Sequence, residues 1–423
     1  MGRIRTTLGH RGRIHIVSDA RGVGETDELA ELVKEIQTEA EYAIDTEFLR
    51  ERTYYPRLAL IQIGWSGGIA LIDPLEVDLA PLGDLLSSDA VAVFHAADQD
   101  LEVLELACGV VPRRMFDTQL AAGFLGFSTP SLSSLTERIA GVRISKGDRL
   151  TDWTQRPLTE AQKLYAAGDV AHLLFMKERI TEQLERTGRL EWVEEETELL
   201  RNRPRGVPHA ERAWWKLKDG RVLRGRDRLV AQELCAWRER RAQHEDRPVR
   251  FILPDLGVLA ISQAKPTTGD ALGALRGLDG RYTKGALARE ILDAVQRAID
   301  SPAEALVVPE PEDFDRRLRP ALTLVSAWIG QLARDALLDA TLLATRSDLV
   351  AFLRGDADAR LARGWRGEVV GAAVKQLVSG SAALAFEPNG ALVLERRSGT
   401  AIEMTLAVPD AAWIDLDPLP SDD

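Results

Sequence analysis

The first hundred residues carry short apolar runs with the two-residue period of β-strands, and comparable runs return only near the C-terminus. Residues 42–48 (Tyr-Ala-Ile-Asp-Thr-Glu-Phe), 57–65 (Arg-Leu-Ala-Leu-Ile-Gln-Ile-Gly-Trp), 69–72 and 91–95 read as strands, with Gly67-Gly68 as a hairpin turn. Helical periods cover 26–38, 100–107, 118–125 and 159–184, and Thr26 is the expected N-cap of the first. A three-strand meander followed by alternating strands and helices predicts an α/β domain, a mixed sheet with flanking helices. From Arg201 to Val207, a segment with Pro204 and Gly206, the chain reads as a linker. Beyond it the patterns are helical: 226–244, 253–264 with Pro254 at its start, 269–275 and 283–299, a small all-α domain. A second linker, 309–315, precedes further helical patterns over 316–377, and 383–395 reads as a terminal hairpin turning at Asn389-Gly390.

The two cysteines, Cys108 and Cys235, lie in apolar helical patterns and read as reduced and buried. No Cys/His cluster has zinc-site spacing, and no apolar run approaches the roughly 18 residues of a membrane span. Residues 1–20 lack the apolar core of a signal peptide. Met1-Gly2 through Thr6 fits a short myristoylation pattern that we attribute to chance. The expectation is a cytoplasmic protein without membrane association, and a monomer, since nothing in the sequence demands a dimer. A formal net charge of −12 over 423 residues argues against a generally nucleic-acid-coated surface, but the charge is uneven. Residues 201–241 carry 13 Lys and Arg against five Asp and Glu. Such a stripe in an acidic chain is the footprint of a polyanion site, or else a solvated helix face.

Asp45 and Glu47 sit two apart on a strand, so their side chains share one face, where they repel unless a cation or a proton intervenes. Asp100 opens a helix after the strand 91–95, and it or Asp98 would serve as N-cap. Tyr165 and Asp169, four apart in a helical pattern, share a helix face. His172 beside them reads as structural. Together Asp45, Glu47, Asp100 and Asp169 offer all-oxygen ligation on three elements, which favours Mg²⁺ or Mn²⁺ over zinc. Two such ions about 3.5–4 Å apart clamp the attacking and leaving oxygens of a phosphodiester, and a tyrosine one turn from a ligand can orient the attacking water.

The segments Asp45-Thr-Glu47, His95-Ala-Ala-Asp-Gln-Asp100-Leu-Glu and Tyr165-Ala-Ala-Gly-Asp169 resemble the three exonuclease motifs of the DEDDy branch of the DEDD superfamily. Thr53-Tyr-Tyr-Pro-Arg-Leu, Leu71-Ile-Asp-Pro74, Phe116-Asp-Thr-Gln119, Thr151-Asp-Trp153 and Arg156-Pro-Leu-Thr159 are similar to the ribonuclease D family. Phe251-Ile-Leu-Pro-Asp255, Gly277-Leu-Asp-Gly280 and Lys284 resemble the HRDC domain that follows the nuclease in that family. Leu343-Ala-Thr-Arg346 and Gly364-Trp-Arg366 resemble its second, HRDC-like region.

The resemblance implies a ribonuclease H-like nuclease over 1–200, an HRDC domain over 219–302 and a second HRDC-like region over 316–400; residues 201–218 read as a basic linker, while the terminal hairpin and the acidic tail over 401–423 are less typical of the family and have no assigned role. It implies that Asp45, Glu47, Asp100 and Asp169 ligate two metal ions, that Asp45 bridges both, and that Tyr165 positions the hydrolytic water. Asp98, two before the matching Asp100, is expected to face outward. The implied reaction is stepwise hydrolysis of RNA from a free 3′ end, releasing 5′-monophosphates, with tRNA precursors as the implied partners. Candidate RNA contacts are Phe48 (otherwise core packing), Gln62, His95, Lys146, Arg149, Arg201, Arg203, Arg205, Trp214 and Trp215, the aromatics by stacking and the cations by phosphate contact. A DNA-directed 3′–5′ exonuclease and a non-catalytic RNA-binding scaffold are the alternative readings.

Overall fold

The computed structural model describes residues 20–144, 151–206, 209–308 and 315–399. The chain divides into two compact units. The first begins with β1 (Arg21–Val23), α1 (Thr26–Ile36), β2 (Glu41–Leu49), β3 (Arg57–Trp65), β4 (Gly68–Ile72), α2 (Ala80–Leu86), β5 (Val91–Phe94), α3 (Asp98–Cys108), β6 (Met115–Asp117) and α4 (Thr118–Gly123). It continues with α5 (Leu132–Ala140), α6 (Glu160–Val170), α7 (Leu173–Arg186) and α8 (Leu190–Arg201). The six strands run in the order β1-β4-β3-β2-β5-β6. β2, β3 and β4 form the antiparallel meander, and β1, β5 and β6 join in parallel pairs.

The period of β2 divides its side chains between two layers. Tyr42 and Ile44 enter an apolar core with Leu29, Leu32 and Ile36 of α1, Leu82 and Leu85 of α2, and Leu101 and Leu104 of α3. Ala43, Asp45 and Glu47 alternate to the other face, where α6 lies over the meander. Gly64 on β3 lets α6 approach: a Cβ there would stand 3.3 Å from the Val170 carbonyl oxygen.

Three local expectations are corrected. Thr26 is the first residue of α1 rather than its cap, and its hydroxyl accepts the Asp78 amide at 3.0 Å. The helical pattern 159–184 is two helices, Glu160–Val170 and Leu173–Arg186, separated at Ala171 and His172, where His172 takes φ −116°, ψ −2°. Residues 210–217 are not linker. The 3₁₀ turn Ala210–Lys216 brings Ala213, Trp214 and Leu217 into the core of the helical module that follows.

That module comprises α9 (Arg226–Glu245), α10 (Val249–Ile252), α11 (Asp255–Ala264), α12 (Gly269–Gly273) and α13 (Gly285–Asp300), and it belongs to the first unit. A late segment, residues 333–342, also belongs there rather than with the second helical region. Asp339 donates its amide to the Gly123 carbonyl at 2.8 Å, and the Arg189 guanidinium reaches the carbonyls of Phe124 at 2.7 Å and Ala336 at 2.6 Å.

The second unit contains most of α14 (Arg319–Ala336), which is followed in the chain by α15 (Ala340–Leu343). The rest of the unit is α16 (Arg346–Arg354), α17 (Gly364–Arg366), a π-helical turn over Gly367–Gly371, α18 (Ala372–Val378) and the hairpin of β7 (Ala382–Phe386) and β8 (Leu392–Arg396). Among the described residues, no helix is long and apolar enough to cross a membrane.

Candidate active site

β2 and α6 bring three carboxylates together. One carboxylate oxygen from each of Asp45, Glu47 and Asp169 lies within 4.8 Å of the others. β2 supplies the first two by its two-residue period, and a bulge between Glu47 and Phe48 shifts the register with β3 just past them. α6 supplies Asp169, and Tyr165 one turn earlier, on a helix started by a Thr159–Gln162 capping box and held to the sheet by buried Ala166, Ala167 and Val170. The Tyr165 ring lies 5.9 Å from that of buried Trp153.

Asp100 stands outside this trio, in the first turn of α3, buried, and it accepts the Thr46 hydroxyl at 2.5 Å. Its approach is set by Asp117, whose carboxylate takes the amides of Ala96 and Ala97 between β5 and α3 and those of Gln119 and Leu120 opening α4.

Burial pushes the Asp100 carboxyl up to about 7, against the Thr46 hydrogen bond, which lowers it. The Asp45 carboxyl is held well above the ordinary carboxylate range, first by burial and then by the charges of Asp100, Asp169 and Glu47. Crowded acids of this kind ionise together only when positive charge joins them. The donor set fits a hard divalent cation: it is all oxygen, with no thiolate or imidazole in the cluster. Gln62, opposite Asp45 on β3, adds a fully buried amide with no hydrogen-bond partner among the described residues.

The carboxylates open into a cleft of about 770 Å³ lined also by His95, Gln119, Thr129, Ser131 and Tyr165. The His95 ring nitrogens lie 2.9 Å from the Thr118 hydroxyl and 3.0 Å from the Pro130 carbonyl, and burial lowers its pKa. A smaller hollow of about 250 Å³ shares Ala96, Gln119 and Thr129 with the cleft and is closed by Asp98, Arg203, Asp339 and Leu342.

The remaining candidates fall in varied places. Asp98 is exposed and paired with Arg203 at 2.8 Å, so it faces away from the acidic cluster. Phe48 packs against the nuclease core. Gln62 is corrected from cleft wall to interior, because the central strand carrying it lies beneath α6. Trp214 is likewise a core residue, with its indole N–H on the Val307 carbonyl at 2.9 Å. Trp215 bonds the same carbonyl at 3.0 Å but stays exposed, with the Arg212 guanidinium 5.5 Å above its ring. Arg201 pairs with Glu198, and Arg205 donates to the carbonyls of Leu200, Arg201 and Arg203. These two cations finish α8 rather than standing free for phosphates. Lys146 and Arg149 lie outside the described residues. Sequence reasoning missed Thr46, Thr129 and Ser131. Thr46 carried a positional signal, since it sits between two acids and points to the opposite face.

A mixed sheet presenting paired acids on a central strand, with a tyrosine and a further acid one helical turn apart above them, defines a 3′–5′ exonuclease. The family model described as 3′–5′ exonuclease matches residues 20–185, and the HRDC domain model matches residues 227–295. Ribonuclease D of a Jannaschia species is 38% identical, covering 88% of this chain and 98% of its own length. Ribonuclease D of Nitrobacter hamburgensis is 36% identical, with the same coverage of 88% and 98%. The crystal structure of Escherichia coli RNase D, an exoribonuclease involved in structured RNA processing, superposes with a TM-score of 0.77 at 31% identity, covering 85% of this chain and 99% of that one. The chain belongs to the ribonuclease D family, and it is a 3′–5′ exoribonuclease with an α/β nuclease domain and an all-α HRDC domain.

Proposed function

We propose that the chain trims the 3′ ends of structured RNAs such as tRNA precursors, removing one nucleotide at a time as a 5′-monophosphate. The observation that carries this reading is the convergence of Asp45, Glu47 and Asp169 within 4.8 Å on the floor of an open cleft with Tyr165 on its wall. Asp45, Glu47, Asp169 and Asp100 are the residues that would hold two divalent ions, Mg²⁺ or Mn²⁺. Ions held there would supply a lowered pKa for the attacking water and charge stabilisation of the leaving 3′-oxygen.

The protein's own groups do the rest. Thr46 holds the Asp100 carboxylate in its buried place. Tyr165 orients the attacking water through its hydroxyl. The cleft admits a single-stranded end, and its His95, Gln119 and Ser131 face the last nucleotides. Residues 1–200 form the catalytic module of this reading. The HRDC module over 219–302 and the second HRDC-like region over 316–400 grip the body of a folded RNA, with exposed Trp215 and Arg212 as one contact. The protein works as a cytoplasmic monomer.

The test uses an RNA hairpin with a single-stranded 3′ tail and a 5′ label, incubated with Mg²⁺, with EDTA and with the Asp45→Asn protein. A ladder of one-nucleotide steps that requires both the metal and Asp45 is the expected result. RNA binding without a ladder would transfer the reading to a scaffold, and a ladder on the matched DNA alone would transfer it to a DNA exonuclease.

A further inference from the structure

The loop that joins the catalytic strand β2 to β3 is held by the HRDC module. Asp246, at the C-terminal end of α9, accepts the backbone amides of Tyr54 and Tyr55, each at 3.0 Å. The Tyr54 hydroxyl donates to Glu239 of α9 and accepts Gln243 Nε2 at 3.3 Å, while its ring packs on the HRDC core. Arg250 of α10 reaches the Glu51 carbonyl at 3.3 Å.

The other end of this loop touches the catalytic elements. Arg50, three residues after Glu47, forms an ion pair with Glu102, its Nη2 lying 2.6 and 2.7 Å from the two carboxylate oxygens, and Glu102 lies two residues past Asp100 on α3. One short loop is thus fixed on one side by α9 and on the other by the helix that carries Asp100, and Glu47 lies on β2 two residues before the strand ends. Asp246 adopts a left-handed conformation (φ 46°, ψ 51°), which an Asp or Asn tolerates and most residues do not. The backbone there is bent so that a carboxylate at the helix end meets two amides of a distant loop.

We propose that α9 of the HRDC module is a positioning element of the nuclease: Asp246, with Glu239 and Gln243, sets the β2–β3 loop and through it the placement of Glu47. The proposal rests on the carboxylate site proposed above and gives the HRDC module a task that is independent of gripping RNA. Its signature is a defect on substrates too short to touch the module. Misplacing a reacting group by about 1 Å costs up to roughly a hundredfold in rate, so a loosened loop of this kind should cost roughly tenfold.

The experiment uses the full chain and two variants at one position. Asp246→Gly removes the carboxylate while keeping the left-handed backbone unstrained, and Asp246→Asn keeps an oxygen acceptor. Hydrogen–deuterium exchange is followed over residues 41–57, and turnover is measured on an RNA tetranucleotide. Asp246→Gly should exchange faster across 47–56 and lose roughly tenfold in kcat with KM changed by less than about twofold, and Asp246→Asn should restore both. Unchanged exchange in Asp246→Gly, or a loss confined to KM on long RNAs, overturns the proposal. If the wild-type chain releases no nucleotide, the carboxylate-site reading fails by itself, and the exchange comparison still decides whether Asp246 holds the β2–β3 loop.

Discussion

The Thr46 hydroxyl donates to the buried Asp100 carboxylate at 2.5 Å, joining the catalytic strand to α3 from the face opposite Asp45 and Glu47. Removing one partner of such a bond leaves a buried carboxylate short of a donor, at a cost of about 1–3 kcal/mol. Thr46→Val should therefore lower kcat by roughly tenfold or more, and Thr46→Ser should stay close to wild type. Burial already lifts Asp100 to about 7 and the hydroxyl restrains it.

Tyr165 is a full helical turn from Asp169 and opens onto the cleft. Tyr165→Phe keeps the ring and its packing near Trp153 but deletes the hydroxyl. The expected loss is roughly a hundredfold or more in kcat with little change in KM, read by single-nucleotide release.

Asp98 and Asp100 separate cleanly. Asp98 is exposed and its Arg203 partner is more than half exposed, so the pair contributes little. Asp98→Asn should leave kcat within about twofold of wild type, whereas Asp100→Asn should abolish metal-dependent release. A large loss in Asp98→Asn would mean that the outward-facing acid is the one that matters.

Arg156 ties the segment before α6 to the sheet. Its guanidinium meets both carboxylate oxygens of Asp73 and also the carbonyls of Ala59 at 2.8 Å and Trp153 at 2.8 Å. Burial opposes ionisation of Asp73, but the Arg156 hydrogen bonds outweigh it and hold the carboxyl below its ordinary range. A depressed carboxyl stabilises the fold at pH values above its unfolded pKa of about 4, and that contribution disappears as the pH falls through the lower native value. Arg156→Ala should lose about 1–3 kcal/mol at neutral pH in urea unfolding, and the gap from wild type should narrow below about pH 4.

Gly64 sets how closely α6 lies on the meander. With a Cβ 3.3 Å from the Val170 carbonyl, Gly64→Ala should cost about 1 kcal/mol and Gly64→Val about 1–3 kcal/mol, with activity falling as α6 and Asp169 lift. Thermal melts compared with turnover check whether the two losses run in parallel.

How much of this was legible in the sequence follows from the range of each interaction. Asp45 with Glu47, and Tyr165 with Asp169, are fixed by the local periods of one strand and one helix, and the structure unites Asp45, Glu47 and Asp169. The Thr46–Asp100 bond joins residues 54 apart, and no local pattern announces it. Trp214 and Arg205 read as ligand-binding groups because composition marks what a side chain can touch but not which surface the chain folds over it. Three-residue strands such as β1 and β6 are too short for a period to register, and they exist through their neighbours β4 and β5.

The docking of residues 333–342 onto Gly123 and Arg189 has a consequence for synthesis. A ribosome adding about 5–20 residues per second finishes α8 on the order of ten seconds before it delivers the strip that completes this face. Through that interval the wall around Asp339 and Leu342 is missing from the emerging enzyme. A nascent nuclease with its acids already in place thus stays unfinished on one flank until most of its own polypeptide has been made.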